Sequence, residues 1–123
     1  MLSDYGNARP WADNIVGKIN LYGLHRCHVS VISWHELMFG LGTLGGQRRA
    51  RLDAFYATFR LAAFDRAAAL ASAQVRLDLG SKSIDLADAM IAGQAISGNY
   101  ILVSNNAKHF PRVKGLHWVN WAV

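Results

Sequence analysis

Apolar positions along this chain recur with two different periods, and the order in which those periods alternate predicts the elements. Trp11, Ile15, Ile19 and Leu21 or Tyr22 fall at helical spacing between Trp11 and Leu24, with Gly23 as a stop. His28 to Ile32 is a short run rich in β-branched residues and reads as a strand, after which Ser33 leads a helical stretch through Phe39. Glycines at 40, 42, 45 and 46 break the chain. A helix then returns from Gln47 to Phe59 with Leu52, Phe55, Tyr56 and Phe59 on one side. Leu61 to Phe64 is a brief strand candidate, and Asp65 caps a helix that runs to Leu79. Beyond the loop from Gly80 to Ser83, Asp85 opens a helix, Leu86 to Ile96, that is apolar nearly all round and therefore buried. Tyr100 to Val103 is a continuous apolar strand of the kind covered on both faces, and Leu116 to Val119 is a weaker final one. Strands alternating with helices, without hairpin signals, predict an α/β three-layer sandwich around a central parallel sheet.

Composition narrows this picture. A length of 123 residues leaves room for one domain, 1–123, and 52% hydrophobic against 17% charged residues is a core-rich balance far from the disordered class. The lone Cys27 excludes an internal disulfide and suits a reducing compartment. No apolar run is long enough to span a bilayer, and the polar start from Met1 to Asn14 is unlike an export signal, so the expected location is cytoplasmic. Thirteen basic residues against eight acidic ones favour a polyanionic partner such as RNA.

The chemistry gathers on few residues. Glu36, the chain's single glutamate, lies just beyond the first strand candidate; Asp88 lies in the first turn of the buried helix; Asn106 follows the strand ending at Val103. All three fall at one sheet edge, outside the carboxyl ends of the strands, where open α/β sheets bind ligands. Two carboxylates and an amide oxygen form a hard-oxygen set suited to Mg2+ or Mn2+. Each residue also has a bland reading. Ser33 to Glu36 fits a capping box, Asp85 to Asp88 has similar spacing, and an Asn after a strand is commonly a turn residue. Convergence on one edge is what capping does not require.

Other motifs carry less. Gly40 to Gly45 matches G-x-G-x-x-G but follows a helical stretch instead of a strand, which is the wrong context for a dinucleotide site and leaves an oxidoreductase reading weak. His25, Cys27 and His28 lack a second ligand pair for zinc. Arg48, Arg49 and Arg51 read as a solvated helix start, and secondarily as an RNA contact surface.

Assembled in order, three segments resemble the PIN-domain ribonucleases, specifically toxins of the VapC and FitB type. Ser30 to Gly40 looks like the strand leading to the family's second acid, with Leu37 directly after Glu36 and Gly40 four positions beyond it; Asp88 to Gly93 resembles the segment carrying the third; Leu102 to Phe110 resembles the last motif, with Asn106 at its Asp or Asn position. The resemblance implies a PIN-like fold and a Mg2+- or Mn2+-dependent endoribonuclease that leaves a 5′-phosphate and a 3′-hydroxyl. Glu36, Asp88 and Asn106 are its implied catalytic and metal residues. RNA is the implied substrate, and a cognate antitoxin and a second copy of the chain are the implied partners. The rival reading is a degenerate PIN-like domain that binds antitoxin or RNA without cleaving.

The likeness departs at the beginning. Family members start with an apolar strand ending in Asp-Thr-Asn, whereas Met1, Leu2, Ser3, Asp4 looks like the stretch after that signature, and the step of 27 positions from Ser3 to Ser30 keeps the register. The expectation is that the first strand and first metal-binding Asp are missing, and that Asp4 is a poor substitute because no apolar strand precedes it.

Overall fold

The computed structural model describes residues 12–42, 46–80, 82–104 and 107–121. The expectation about a first strand concerns the chain's beginning, and residues 1–11, including Asp4, lie outside the described residues.

Helix α1 spans Ala12–Tyr22 and ends where Gly23 takes a φ of 94°, a left-handed conformation that glycine adopts without strain. A 3-10 turn, Leu24–Arg26, leads into strand β1, His28–Ser30. The strand is two residues shorter than its β-branched run suggests, because Val31 and Ile32 already belong to helix α2, Val31–Leu41. Ser30 makes the switch: its hydroxyl accepts from the Ile32 amide at 3.1 Å, capping the helix three residues before the expected Ser33. Helix α3 spans Gly46–Ala57, strand β2 Arg60–Ala62 and helix α4 Arg66–Leu79. Asp65 caps α4 as its sequence predicts, accepting from the Ala68 amide at 2.9 Å. Helix α5, Leu86–Ser97, closes with Asn99 in the left-handed region and the Tyr100 amide bonded to the Ala95 carbonyl at 2.8 Å. That closure shortens the next strand, β3, to Leu102–Val103, followed by a 3-10 turn at Phe110–Arg112 and strand β4, Trp118–Val119.

Both strand pairs are parallel: β1 on β2, with Ser30 opposite Ala62, and β3 on β4, with Leu102 opposite Trp118. Two apolar clusters lie on their faces. One gathers Ala62, Val75, Ile84, Ala89, Ile91, Ala92, Leu102 and Phe110 from β2, α4, α5, β3 and the turns beside them; the other gathers Ile19, Cys27, Val29, Tyr56, Phe59 and Val103 from α1, β1, α3 and β3. Leu102 and Val103 are neighbours in sequence yet belong to different clusters, as alternation along a strand requires. Helices on both faces of parallel strands make the three-layer α/β architecture that the periodicity predicts.

Two apolar side chains, one in a helix and one in an expected strand, depart from the expected core. Leu21 is 75% exposed, and its neighbour Tyr22 stacks on Trp121 with ring centroids 5.6 Å apart. Ile101, inside the expected strand, is 57% exposed. No helix among the described residues is long and apolar enough to cross a membrane.

Candidate metal centre

Helix α5 is the element that positions the site. It packs closely on α4, because Gly93 leaves no room for a side chain: a Cβ there would sit 2.3 Å from the Ser72 backbone nitrogen. One residue on, Gln94 is 2% exposed and binds three groups from other elements. Its side-chain oxygen accepts from the Ser30 hydroxyl, and its amide donates to the carbonyls of Ala62 and Ala63, the latter at 2.8 Å. The carboxyl ends of β1 and β2 and the start of α2 are thereby tied to α5. A buried amide with these partners meets the demand that buried polar groups be satisfied.

The first turn of α5 then points its chemistry at that edge. Asp85 occupies the N-cap position but makes no side-chain bond to the helix, so the capping pattern read from Asp85 and Asp88 is not formed. Asp88, half-buried in the first turn, benefits from the positive end of the helix. Its Oδ2 lies 2.7 Å from Nδ1 of His109, a residue 7% exposed and carried on the segment that leads into the turn at buried Phe110. Ligand atoms of Asp85, Asp88 and His109 all lie within 4.8 Å of one another, and this is the one such group of three or more among the described residues.

Glu36 sits in the second turn of α2, exposed, on a helix that packs against α5. The early start of α2 removes the capping-box reading for it, since Ser33 lies inside the helix and Ser30 is the cap. Glu36 is not part of the cluster around Asp88. Ser33, one turn earlier on the same side, has a buried hydroxyl oxygen with no hydrogen-bond partner among the described residues, an orphan of the kind a hydrated ion satisfies. Asn106 lies outside the described residues.

Sequence reasoning missed His109. Its partnership with Asp88 crosses 21 positions and depends on how the segment after β3 folds back, so no local pattern announces it. The two carboxylates are hard-oxygen donors suited to Mg2+ or Mn2+, and the imidazole beside them can serve as a ligand or as a hydrogen-bond donor to Asp88. Lys82, Lys108, Arg112 and Lys114, near Asp85 or His109 in sequence, are exposed. Arg112 is also structural, donating to the carbonyls of Lys108 and Ser83 and so joining the loop before α5 to the segment carrying His109.

The remaining candidates carry no site. His25, Cys27 and His28 form no converging metal set among the described residues. The Cys27 thiol is buried against the Gly23 carbonyl at 3.6 Å, and burial pushes its pKa up, partly opposed by Arg26. Of the G-x-G-x-x-G run, Gly40 is within α2 and residues 43–45 lie outside the described residues.

Comparison with known proteins supplies the family. The family model described as PIN domain matches residues 2–116. A curated relative, tRNA(fMet)-specific endonuclease VapC of Salmonella typhimurium, is 30% identical over 113 residues, covering 89% of this chain and 85% of that protein. Among solved structures, DNA-bound VapBC from Salmonella typhimurium superposes with a TM-score of 0.81 at 26% identity, covering 98% of this chain and 96% of the other. VapBC2 from Rickettsia felis, bound to a DNA fragment from its promoter, gives a TM-score of 0.81 at 27% identity over 98% and 97% of the two chains. A match over nearly the whole length, together with a curated relative 30% identical, places the chain in the PIN-domain family, on its VapC branch.

Proposed function

We propose that this protein is a metal-dependent endoribonuclease, the toxin of a type II toxin–antitoxin pair, acting in the cytoplasm as a single PIN domain over residues 1–123. The observation that carries this reading is that ligand atoms of Asp85, Asp88 and His109 lie within 4.8 Å of one another, in a chain that shares 30% identity with a tRNA-specific endonuclease.

Glu36, Asp88 and Asn106 are the proposed catalytic residues and would hold Mg2+ or Mn2+. The ion, when bound, supplies a water of lowered pKa and neutralises charge on the scissile phosphate. The chain's own contribution is placement. Gln94 fixes α5 against the strand ends, so the Asp88 carboxylate stands at the edge where an RNA backbone can approach. Exposed Lys108 and Lys114, one and five positions from His109 in sequence, would grip phosphates without reading bases. The substrate printed in the relative's name makes a tRNA the first RNA to assay. The neighbouring VapBC complexes support a cognate antitoxin as partner, and a second copy of the chain is the further partner we propose.

The test is cleavage of tRNA by the purified chain with Mn2+, with EDTA and with the variants Glu36→Gln and Asp88→Asn. The expected result is metal-dependent cleavage that falls about 100-fold or more in each variant, the scale seen when a charge-stabilising group is removed. Cleavage that survives both substitutions would overturn the site. Absence of cleavage in the parent chain, with antitoxin binding retained, would favour the non-catalytic reading.

A further inference from the structure

We propose that His109 is a positioning residue for Asp88: it holds the carboxylate by a hydrogen bond from Nδ1. This inference rests on the metal-binding role proposed above for Asp88. The 2.7 Å separation between Nδ1 and Oδ2 is a short, charge-assisted distance. A carboxylate accepts hydrogen bonds, so in this pairing Nδ1 is the donor and faces Asp88. Metal-binding carboxylates are commonly oriented in this way by an outer hydrogen-bond donor.

The mounting of His109 suits the task. The residue is 7% exposed and is followed by Phe110, which is 1% exposed within the core cluster. The segment is further fastened by Arg112, whose guanidinium donates to Lys108 and Ser83 carbonyls on either side of the site. The imidazole therefore reaches Asp88 from a rigid base. Its bond engages Oδ2 and restricts rotation about the Asp88 side chain. Asp85, exposed at the N-cap and within 4.8 Å, is then the second carboxylate that can approach the same ion.

Two measurements test this without depending on catalysis. The first is Mg2+ and Mn2+ affinity by calorimetry for the parent chain, His109→Leu, His109→Asn and Asp88→Asn. Leucine fills the space without a donor, whereas the asparagine amide nitrogen can stand where Nδ1 stood. The expected result is a loss of about 10- to 100-fold in affinity for His109→Leu and recovery to within about 3-fold of the parent for His109→Asn. Equal affinity in His109→Leu, or an equal loss in both variants, would overturn the positioning role. The second measurement uses the parent chain alone, so it stands even if the leucine variant does not fold. In protein labelled with 15N-histidine, the proton on Nδ1 of His109 should persist as Mg2+ is added to saturation. A metal-bound shift on either ring nitrogen of His109 would overturn the proposal by making His109 a ligand. The Asp88→Asn control separates the two readings. If the parent chain binds metal through Asp88 but cleaves no RNA, the enzymatic reading fails and the role of His109 stands. If Asp88→Asn leaves metal affinity unchanged, the metal site itself is wrong and the positioning role falls with it.

Discussion

The Ser30 hydroxyl donates to the side-chain oxygen of Gln94 across 64 positions of sequence, while accepting from the Ile32 amide two residues away. One buried hydroxyl thus ends β1, starts α2 and binds both to α5. Replacing Gln94 by Leu keeps the bulk but strands the Ser30 hydroxyl and the carbonyls of Ala62 and Ala63. The expected cost is about 2–4 kcal/mol of stability, read from urea denaturation. In a cycle with Ser30→Ala the two changes should couple by about 0.5–3 kcal/mol, whereas strict additivity would mean that the bond contributes little.

Glycine substitutions should change stability in opposite directions at two helical positions. Gly93→Ala places a methyl group 2.3 Å from the Ser72 backbone nitrogen, so α4 and α5 must separate, at a cost of about 1–3 kcal/mol or more. Gly17, in α1, has nothing within 4 Å of the place an alanine methyl would take, and Gly17→Ala should stabilise by about 0.5–1 kcal/mol through the entropy of the unfolded chain. Thermal unfolding of the two variants beside the parent reads both signs.

The Cys27 thiol supplies a pH dependence. Its folded pKa is raised above the ordinary value of 9.0 by burial, so the folded state favours the protonated thiol. The resulting stability is fully present below pH 9.0 and is lost as pH rises through the folded pKa, because the unfolded chain ionises first. Urea midpoints measured from about pH 8 to about pH 10.5 should therefore fall more steeply for the parent than for Cys27→Ala. A thiol-specific reagent should label native Cys27 at least about tenfold more slowly than a free cysteine at neutral pH, and matching rates would contradict the burial.

Cations around the site should act as a salt-sensitive grip. In an Asp88→Asn background, replacing exposed Lys108 and Lys114 by Ala should weaken RNA binding for all sequences alike. The dependence of log affinity on log salt should flatten by about 0.7 for each phosphate no longer neutralised. Fluorescence anisotropy over a salt series measures this, and an unchanged slope would place the RNA elsewhere. Arg112 is a poorer probe, since its guanidinium joins two loops.

Legibility in the sequence followed the range of the interactions. Asp65 could be read as a cap because the amide it accepts from lies three residues away, and Gly23 as a stop because its φ of 94° is a local property. The boundary after β1 could not. Val31 and Ile32 have strand propensity, but their helical conformation is fixed by a serine held in place by Gln94, so tertiary structure overrode local preference. The candidate site divided in the same way. Asp88 was visible from its place at the start of an apolar helix, whereas His109 became visible only when the segment beyond β3 was folded onto α5. For Glu36 the structure removes the competing capping pattern, because Ser30 is the cap, and places the residue exposed in the second turn of α2.

Helix α5 carries the Asp88 carboxylate in its first turn and the Gln94 amide six residues later, about 9 Å along the helix axis. It therefore works as a ruler whose zero mark is hooked over the ends of β1 and β2. Adding or deleting one residue between those marks would turn the carboxylate by about 100° around the axis and carry it away from the edge. Drift in length is thus open to the loops that meet the RNA but closed to the segment between Asp88 and Gln94, where substrate preference can change only by altering what surrounds a fixed point.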